Sequence, residues 1–192
     1  MREGNYKTVF TTMGATNHSE GDRAEHDYYA TDPAAAALLM QEENLSGVWE
    51  CACGDGALAK VFDKSGVLKR ATDLIDRGYG QGGIDFLQEQ GTYGGDIVTN
   101  PPYKHAEEFV RHAYNLIPEG NKVCMFLKLT FLESKSRKKM FEEIPLKTLY
   151  VSSSRISCYK NNDRSFKSSA IAFGWYVWEK GYKGEPTIKW IN

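Results

Sequence analysis

Short apolar segments alternate with helix-forming segments along most of this chain, and that alternation restricts the folds that it can adopt. Seven segments are short, apolar and bounded by turn residues, as buried strands are: GVWECAC, LKRATDL, GGIDFL, GDIVT, KVCMFLKL, KTLYVSS and SSAIAFGWYVWEK. Segments typical of helices precede the first of these and separate several of the others: PAAAALLMQEEN, GALAKVFDKSG, KHAEEFVRHAYNLI and FLESKSRKKMFEEI. Strands joined through helices pair in parallel, and the helices cover both faces of the sheet. The pattern predicts an α/β fold with a seven-stranded, mostly parallel sheet.

The last two predicted strands differ from the others because no helical pattern separates them. Antiparallel neighbours need only a short connection, so we expect the last strand to run antiparallel. The helix that begins after Pro33 has Asp32 as its expected N-cap. Residues 1–31 are polar and lack periodicity, so we interpret them as an N-terminal arm that precedes a single domain over residues 32–192.

The composition is that of an ordinary globular protein. The chain has 192 residues, of which 41% are hydrophobic and 26% are charged, and this length is sufficient for one domain with a full core. No apolar run approaches the roughly 20 residues that span a bilayer, and the first segment, MREGNYKTVFTTMG, lacks the apolar core of a signal peptide. The four cysteines lie in or beside apolar segments, which suits a reducing compartment. We therefore expect a cytoplasmic protein with no membrane partner.

Charge is distributed unevenly along the chain. The net charge is −1, but residues 135–167 contain nine Lys and Arg against three acidic residues, a local net charge of +6. Within this segment, KSRKK is typical of a solvated helix face. In YKNNDRSFK, by contrast, the aromatic residues Tyr159 and Phe166 are interleaved with three cations, Lys160, Arg164 and Lys167. Cations bind phosphates and aromatic rings stack on bases, so this second cluster favours contact with a nucleic acid.

The first predicted strand ends in an acidic glycine turn, ECACGDGALAK. Ligands of parallel sheets bind beyond the carboxyl ends of the strands, and Gly54 and Gly56 let the backbone approach a ligand there. Glu50 and Asp55 flank this turn and would repel a phosphate, which a bare glycine turn otherwise favours. The turn is therefore suited to a ligand that is cationic or rich in hydroxyl and amine donors.

Two further strand ends carry residues that suit a nucleoside. Asp73, at the end of the second predicted strand, can accept hydrogen bonds from both ribose hydroxyls. Asp85 can accept from an exocyclic amine, and Phe86 can lie against an adenine ring. Each residue also has a plain structural interpretation, a turn cap for the aspartates and a core position for the phenylalanine. Their occurrence at successive strand ends favours a nucleoside ligand.

An asparagine and two prolines follow an apolar run in the stretch DIVTNPPYKHAEEF. Proline cannot donate to a sheet and disfavours helix in the residue before it, so Asn100, Pro101, Pro102 and Tyr103 predict a rigid exit from a strand. Such an exit is either a plain loop or the floor of a pocket. In a pocket, Asn100 Oδ1 and the Pro101 carbonyl would accept hydrogen bonds from a ligand amine, and Tyr103 would stack on its ring. These acceptors would stabilise the positive charge that develops on a weakly nucleophilic aromatic amine during alkylation.

Together these motifs resemble those of class I S-adenosylmethionine-dependent methyltransferases. NPPY resembles the branch of that family that methylates the N6 amine of adenine, and the arm GATNHS and the ending AIAFGWYVWEKGY are similar to those of small phage- and prophage-encoded DNA adenine methyltransferases. The resemblance implies the Rossmann-like class I fold, S-adenosylmethionine as cofactor, DNA as partner and a role beside restriction-modification. In that family a segment comparable to DYYATDP contacts the methionine part of the cofactor, which implies Tyr29, Thr31 and Pro33 here. It also implies that the arm over residues 1–31 covers the cofactor.

The motifs and the resemblance together define three groups of candidate residues. The catalytic residues are Asn100, Pro101, Pro102 and Tyr103. The cofactor site comprises Tyr29, Thr31, Pro33, Glu50, Cys51, Gly54, Gly56, Asp73, Leu74, Asp85, Phe86 and Asn100. The substrate site comprises Tyr103, Tyr159, Lys160, Arg164, Phe166 and Lys167. No metal is expected.

Several alternatives remain open at this point. The same tetrapeptide methylates a glutamine amide in release-factor methyltransferases, which carry an extra helical domain ahead of a similar core. An RNA base amine is a second target, since the basic segment does not separate RNA from DNA, and a binding module without turnover is a third alternative. Larger members of the family carry a separate target-recognition domain, for which we find no segment. We therefore expect a short or degenerate DNA target, unless the second subunit of a homodimer or a specificity partner recognises the target sequence.

Overall fold

The computed structural model describes residues 29–154, 156, 158–160 and 171–192, with the backbone alone for Tyr29 and for Cys158–Lys160. Within these residues the strands are β1 Tyr29–Thr31, β2 Val48–Glu50, β3 Leu68–Ala71, β4 Ile97–Thr99, β5 Lys122–Lys128, β6 Thr148–Ser152, β7 Cys158–Lys160, β8 Phe173–Glu179 and β9 Thr187–Ile191. The α-helices are α1 Ala34–Glu42, α2 Ala59–Lys64, α3 Ala106–Leu116 and α4 Lys135–Glu143. Short 3-10 helices lie at Phe86–Gln88, Tyr103–His105 and Leu129–Leu132.

Seven of the described strands form one mixed sheet in the order β3-β2-β4-β5-β8-β6-β9. Strand β2 pairs in parallel with β3 and β4, and β4 pairs in parallel with β5. Strand β8 runs antiparallel to both of its neighbours, β5 and β6, while β9 is parallel to β6. The predicted α/β fold, with seven strands and an antiparallel strand after the sixth, is confirmed.

Two details of the predicted sheet are wrong. GGIDFL is not a strand, because Asp85 accepts a hydrogen bond from the Leu87 N–H at 3.0 Å and begins a 3-10 helix. A side chain that bonds its own backbone in this way competes with sheet pairing. The seventh strand is instead Thr187–Ile191, which is exposed at four of its five positions and lacks an apolar run. Its pairing with β6, rather than its own composition, makes it a strand.

The predicted N-terminal arm ends in a strand. Tyr29–Thr31 pairs antiparallel with Cys158–Lys160 in a separate two-stranded sheet. The N-cap position of α1 is held by Pro33 and not, as the sequence predicted, by Asp32, although Asp32 Oδ1 accepts a hydrogen bond from the Ala34 N–H at 2.9 Å just before the helix. The rest of the arm, residues 1–28, lies outside the described residues.

Each face of the sheet carries its own layer of the core, because successive residues of a strand point to opposite sides. One layer joins alternate strand residues to α3 and α4: Ile97, Met125, Trp178, Val110 and Met140. The other joins the intervening strand residues to α1 and α2: Val98, Phe126, Trp175, Leu39 and Phe62. Helices thus cover both faces, as predicted. No helix among the described residues is long and apolar enough to cross a membrane.

A buried ion pair holds the amino end of β5 against the end of α1. Lys122 Nζ lies 2.6 Å from Glu43 Oε2, and the two side chains are only 15% and 9% exposed. Glu43 Oε1 also accepts a hydrogen bond from the Tyr150 hydroxyl at 2.7 Å. Beside this pair, Asp96 Oδ1 accepts from the Lys122 N–H at 2.8 Å. These contacts join β4, β5, β6 and α1 at the edge of the sheet opposite the carboxyl ends of the parallel strands.

We expect Glu43→Ala to lower the free energy of unfolding by roughly 3 kcal/mol, because it leaves the Lys122 ammonium buried without its counter-ion. Urea denaturation followed by tryptophan fluorescence measures the change. Glu142→Ala is the matched control, since its pair with Lys138 is exposed on α4, and it should shift stability by less than about 0.5 kcal/mol. Equal losses in the two variants would show that the Lys122 ammonium does not depend on Glu43 for its compensation.

Candidate active site

A cavity of about 280 Å³ opens at the carboxyl ends of β2, β3 and β4. This volume is close to the lower end of the range for small-molecule sites, about 300 to 1,000 Å³. The lining comes from β1 and from the segments that follow β2, β3 and β4: Ala30, Thr31, Glu50–Asp55, Ala57, Leu58, Asp73–Ile75, Arg77, Ile84–Leu87, Asn100–Tyr103, His105 and Phe109. Three turns distant in sequence therefore share one cavity.

Most of the candidate residues from the sequence lie on this cavity. The structure brings together the following of them: Thr31, Glu50, Cys51, Gly54, Asp73, Leu74, Asp85, Phe86, Asn100, Pro101, Pro102 and Tyr103. Pro33 and Gly56 are not among the lining residues. Pro33 occupies the N-cap position of α1, and the side chain of Tyr29 lies outside the described residues.

The glycine turn after β2 is tied to the end of β3 by one carboxylate. Asp73 Oδ2 accepts a hydrogen bond from the Gly54 N–H at 2.8 Å, and Oδ1 accepts from the Ile75 N–H at 2.9 Å. Asp73 thus has the structural role of a turn cap and also lines the cavity. Each carboxylate oxygen has a second lone pair, so hydroxyl donors of a ligand can still bind.

Gly56 is required for a different reason from the one that the sequence indicated. Its φ is 82°, and a Cβ at this position would lie 2.4 Å from Cγ of Tyr79. A side chain there would collide with the ring, so the glycine lets Tyr79 pack over the turn. Lys60 Nζ lies 5.2 Å from the centre of the same ring. Gly56 therefore supports the turn from outside the cavity.

Glu50 is a buried carboxyl group at the end of β2 and is only 2% exposed. Its Oε1 accepts a hydrogen bond from Thr99 Oγ1 at 3.1 Å, while Oε2 has no hydrogen-bond partner among the described residues. Burial raises the pKa of Glu50 to about 8, and the negative charges of Asp73 and Asp55 add to that increase. A cationic or donor group of a ligand would compensate for both the burial and the unsatisfied oxygen.

The cysteines of the turn are buried thiols. Burial raises the pKa of both Cys51 and Cys53, and the neighbouring Glu50 raises each further. A thiol held protonated is a poor nucleophile and metal ligand. Cys53 Sγ lies 3.4 Å from the Tyr79 carbonyl oxygen. Cys51 and Cys53 therefore act as small apolar residues, and both contribute to the cavity lining.

The two residues at 85 and 86 lie at the cavity with unequal exposure. Asp85 is exposed and caps the 3-10 helix through its bond to Leu87. Phe86 is only 2% exposed, and its ring lies 5.3 Å from Trp49 and 4.9 Å from Phe109, measured between ring centres. Phe86 is thus a core residue that also reaches the cavity wall.

Asn100 is oriented by a hydrogen bond from outside its own loop. It follows β4 directly, and its Nδ2 donates to Thr31 Oγ1 of β1 at 2.7 Å. With this bond to Nδ2, the other end of the amide, Oδ1, is the acceptor. Pro101 next to it is buried. The strand exit therefore provides fixed acceptor groups at the cavity.

Tyr103 lies between the cavity and the end of β5. Its ring centre is 5.9 Å from that of Phe173, with 33° between the ring planes. Lys128 Nζ, at the carboxyl end of β5, lies 4.6 Å from the centre of the Tyr103 ring. An ammonium group over an aromatic face is attracted by the ring quadrupole. Tyr103 is therefore held between an aromatic and a cationic neighbour.

The two-stranded sheet brings part of the candidate substrate site close to this cavity. Strand β1 contributes Ala30 and Thr31 to the lining, and the register pairs Ala30 with Tyr159 and Tyr29 with Lys160. The backbone of the segment YKNNDRSFK thus begins beside the cavity. Three further candidates in that segment lie outside the described residues: Arg164, Phe166 and Lys167.

Sequence reasoning did not identify Arg77 or His105 as site residues, although both line the cavity. Arg77 follows Asp73 by four positions in an irregular loop, and no periodicity there predicts which side chain turns inward. His105 ends the 3-10 helix that starts at Tyr103, and its Nδ1 lies 2.6 Å from Glu108 Oε2. Proximity to the NPPY motif was the available signal for His105.

No protein-family model and no curated protein sequence matches this chain. Solved structures do match it. A protein from Listeria monocytogenes designated a class I S-adenosylmethionine-dependent methyltransferase aligns with a TM-score of 0.56 at 12% identity, over 96% of this chain and 70% of that chain. A protein from Pyrococcus horikoshii designated an RNA methyltransferase aligns with a TM-score of 0.59 at 14% identity, over 93% of this chain and 99% of that chain.

A third similar structure is the modification subunit of a protein from Vibrio vulnificus designated a type I restriction enzyme. It aligns with a TM-score of 0.55 at 16% identity, over 96% of this chain and 50% of that chain. At such low identities the likeness concerns the fold. The chain therefore has the fold of the class I methyltransferases, in agreement with the expectation from the sequence.

We expect Glu50→Gln to change how stability depends on pH. With a pKa near 8 in the folded protein and a usual value of 4.5, Glu50 keeps a proton on folding that the unfolded chain loses. Stability of the natural protein therefore falls as pH rises between these values. Glutamine cannot ionise, so the variant should gain roughly 4 kcal/mol relative to the natural protein between pH 5 and pH 9.

Urea denaturation at the two pH values measures this gain. Glu185→Gln is the control, since Glu185 is exposed and should give the same difference at both pH values. A Glu50→Gln variant whose difference from the natural protein does not change with pH would contradict a raised Glu50 pKa.

Proposed function

We propose that this protein transfers a methyl group from S-adenosylmethionine to the exocyclic N6 amine of adenine in DNA. The observation that carries the proposal is that the NPPY strand exit and the acidic glycine turn line one cavity. Asn100–Tyr103 lie there together with Glu50, Gly54 and Asp73. One part of the cavity suits a cationic nucleoside, and the other suits a planar amine.

The residues present fit S-adenosylmethionine. Glu50 offers a buried carboxyl group with an oxygen that has no partner among the described residues, which suits the positively charged end of the cofactor. Asp73 supplies carboxylate oxygens for ribose hydroxyls, and Asp85 supplies an acceptor for the adenine amine. Leu74, 57% exposed, provides an apolar surface for the adenine ring. When bound, the cofactor supplies an electrophilic methyl group on its sulfonium.

The chemistry of the amine rests on acceptor groups. The lone pair of adenine N6 is delocalised into the ring, which makes the nitrogen a weak nucleophile. Asn100 Oδ1 and the Pro101 carbonyl would both accept its hydrogens, draw the nitrogen towards tetrahedral geometry and stabilise the positive charge that develops. Thr31, through its bond to Asn100 Nδ2, holds the amide so that it does not reorganise during the reaction.

Tyr103 would position the base. An adenine extruded from the duplex can stack on the tyrosine ring, which aligns its amine with the acceptors. Phe173 and Lys128 contact the Tyr103 ring and hold it in place. Base extrusion also explains why an enzyme of this kind places its acceptors in a cavity rather than on a flat surface.

Two features favour a nucleic acid as the substrate, and a third favours DNA. The net charge of +6 over residues 135–167 suits a phosphate backbone. The interleaved segment YKNNDRSFK begins beside the cavity, through the pairing of β7 with β1. The sequence itself resembles small DNA adenine methyltransferases. One fold neighbour is designated an RNA methyltransferase, which keeps an RNA base amine as an alternative. A glutamine amide remains the other alternative, because the NPPY tetrapeptide also occurs in release-factor methyltransferases.

Methyl transfer from labelled S-adenosylmethionine to DNA, RNA and protein substrates, measured in parallel, tests this function. We expect label in DNA, released as 6-methyladenine on digestion, and sequencing of the product should show a short or degenerate target. Label confined to RNA or to glutamine would replace the proposed substrate. Methylation of DNA only at one motif of five or more defined bases would contradict a permissive target.

We expect Asn100→Ala to reduce methyl transfer by about 10²-fold, because it removes one preorganised acceptor from the amine. Affinity for S-adenosylmethionine, measured by calorimetry, should stay nearly unchanged. Thr31→Val removes only the bond that orients the amide and should cost about three- to tenfold. Asn115→Ala, exposed on α3, is the control. A loss of cofactor affinity that matches the loss of activity would contradict the assignment of Asn100 to the target amine.

A further inference from the structure

One exposed leucine among the described residues belongs to neither the cavity nor the edge of the sheet. The exposed large apolar side chains there are Leu74 at 57%, Leu132 at 47%, Ile188 at 56% and Trp190 at 70%. Leu74 lines the cavity, and Ile188 and Trp190 lie on the edge strand β9. Leu132 ends the 3-10 helix that follows β5. Single exposed leucines are common on protein surfaces, so the significance of Leu132 depends on what surrounds it.

Leu132 lies on the same edge of the sheet as the NPPY motif. Strands β4 and β5 are parallel neighbours, so the segments that leave their carboxyl ends are adjacent. The contact of Lys128 Nζ with the Tyr103 ring, at 4.6 Å, joins these two segments. Leu132 follows Lys128 by four residues, which places their Cα atoms at most about 14 Å apart.

Contacts with the hydrophobic core fix the segment that carries Leu132. Phe131 is only 8% exposed, and its ring packs against those of Tyr176 and Phe141 at 5.6 Å and 6.0 Å between centres. The Tyr176 hydroxyl lies 3.1 Å from the Lys128 carbonyl oxygen and 3.3 Å from that of Leu129. The backbone on the amino side of Leu132 is therefore anchored in the core.

Arg137 fixes the same segment from the other side. Its Nε donates to the Glu133 carbonyl at 2.6 Å, and Nη2 lies 3.4 Å from the Thr130 carbonyl oxygen. Its guanidinium lies 5.1 Å from the centre of the Phe131 ring. Carbonyls on both sides of Leu132 are thus held by one side chain. Leu132 is therefore exposed on a segment whose backbone is fixed on both sides. We call this segment, residues 129–134, the protrusion.

Backbone strain marks the end of this protrusion. Ser134 has φ 105° and ψ 151°, and it is the one residue other than glycine with a positive φ among the described residues. Its Oγ accepts from the Arg137 N–H at 3.4 Å, which caps α4. Strained backbone of this kind persists where the surrounding contacts enforce it, and it occurs preferentially at functional sites.

The protrusion is followed at once by cations. Lys135, Lys138 and Lys139 are exposed on α4, in the segment KSRKK that the sequence favoured as a solvated helix face. The pairs of Lys138 with Glu142 and of Lys139 with Glu143 have N–O distances of 3.5 Å and 3.7 Å on an exposed surface, so these bonds are weak. A phosphate can replace them. An apolar tip flanked by cations is complementary to a DNA duplex in which one base pair is open.

We propose that Leu132 enters the duplex beside the target adenine and fills the space that the extruded base leaves, while the cations of α4 bind the adjacent phosphates. The inference rests on the proposed function and extends it to how the base becomes accessible. Extrusion unstacks the neighbouring bases, and an apolar side chain in the gap restores contact with them. Leu132 is thus a positioning residue for duplex DNA and has no role on a strand that is already unpaired.

The test compares one linearised plasmid DNA as native duplex and as single strands kept apart by heating and rapid cooling, with methyl transfer measured from labelled S-adenosylmethionine. Leu132→Ala should lower kcat/KM on the duplex by roughly ten- to a hundredfold, the equivalent of burying one aliphatic side chain, and leave transfer to single strands unchanged. Leu132→Met, which keeps a side chain of similar size, should retain most of the duplex activity. Ile188→Ala, a similarly exposed aliphatic residue on β9, should match the natural protein on both substrates.

The outcomes separate this inference from the function that it extends. Natural protein that methylates neither form of the DNA overturns the proposed function and this inference with it. Natural protein that methylates DNA while Leu132→Ala behaves normally on the duplex, or loses activity equally on both forms, overturns the role of Leu132 alone. Natural protein that methylates only single strands also overturns the role of Leu132 alone, because no base then needs to be extruded.

Discussion

The parallel pairing of β2 with β3 and β4 is the constraint on which the site depends. Parallel strands end at the same edge of a sheet, so the turns after these three strands meet although they are far apart in sequence. Glu50 pairs with Ala71 in this register, and Trp49 pairs with Ile97. Asp73 then reinforces the arrangement, because its carboxylate joins the Gly54 turn to its own. One cavity results, with carboxyl groups at two strand ends and an amide at the third.

The buried carboxyl group in this arrangement lowers the stability of the protein without its ligand. Glu50 is buried with a pKa near 8, and one of its oxygens has no partner among the described residues. Burying an ionisable group in this way lowers stability at the pH where it must ionise. The pair of Lys122 and Glu43 lies at the opposite edge of the sheet, away from the cavity.

The target side of the proposed site also depends on the end of a strand. Tyr103 follows β4, and Lys128 is the last residue of β5. The contact between them joins the proposed base-stacking ring to the segment that carries Leu132. Thr31 of β1 orients Asn100 on the other side. The groups proposed to hold the amine and to stack on the base therefore lie on the segment after β4, and the group proposed to fill the gap in the duplex lies on the adjacent segment after β5. A short chain can combine these tasks because each segment starts from the same rigid edge.

The sequence by itself determined the features that depend on neighbouring residues. Helix α1, the alternation of strands and helices, the glycine turn and the NPPY exit are all local patterns of propensity and backbone restriction, and the structure contains each of them. Most of the candidate residues lie on one cavity because the carboxyl ends of parallel strands must meet.

Tertiary structure alone decided what depends on distant partners. Strand β9 exists because β6 pairs with it, and Tyr29–Thr31 is a strand because it pairs with Cys158–Lys160. Gly56 is required by the ring of Tyr79, which lies in another loop. A one-dimensional pattern carries no information about such contacts, because their energy comes from atoms that the chain brings together only when it folds.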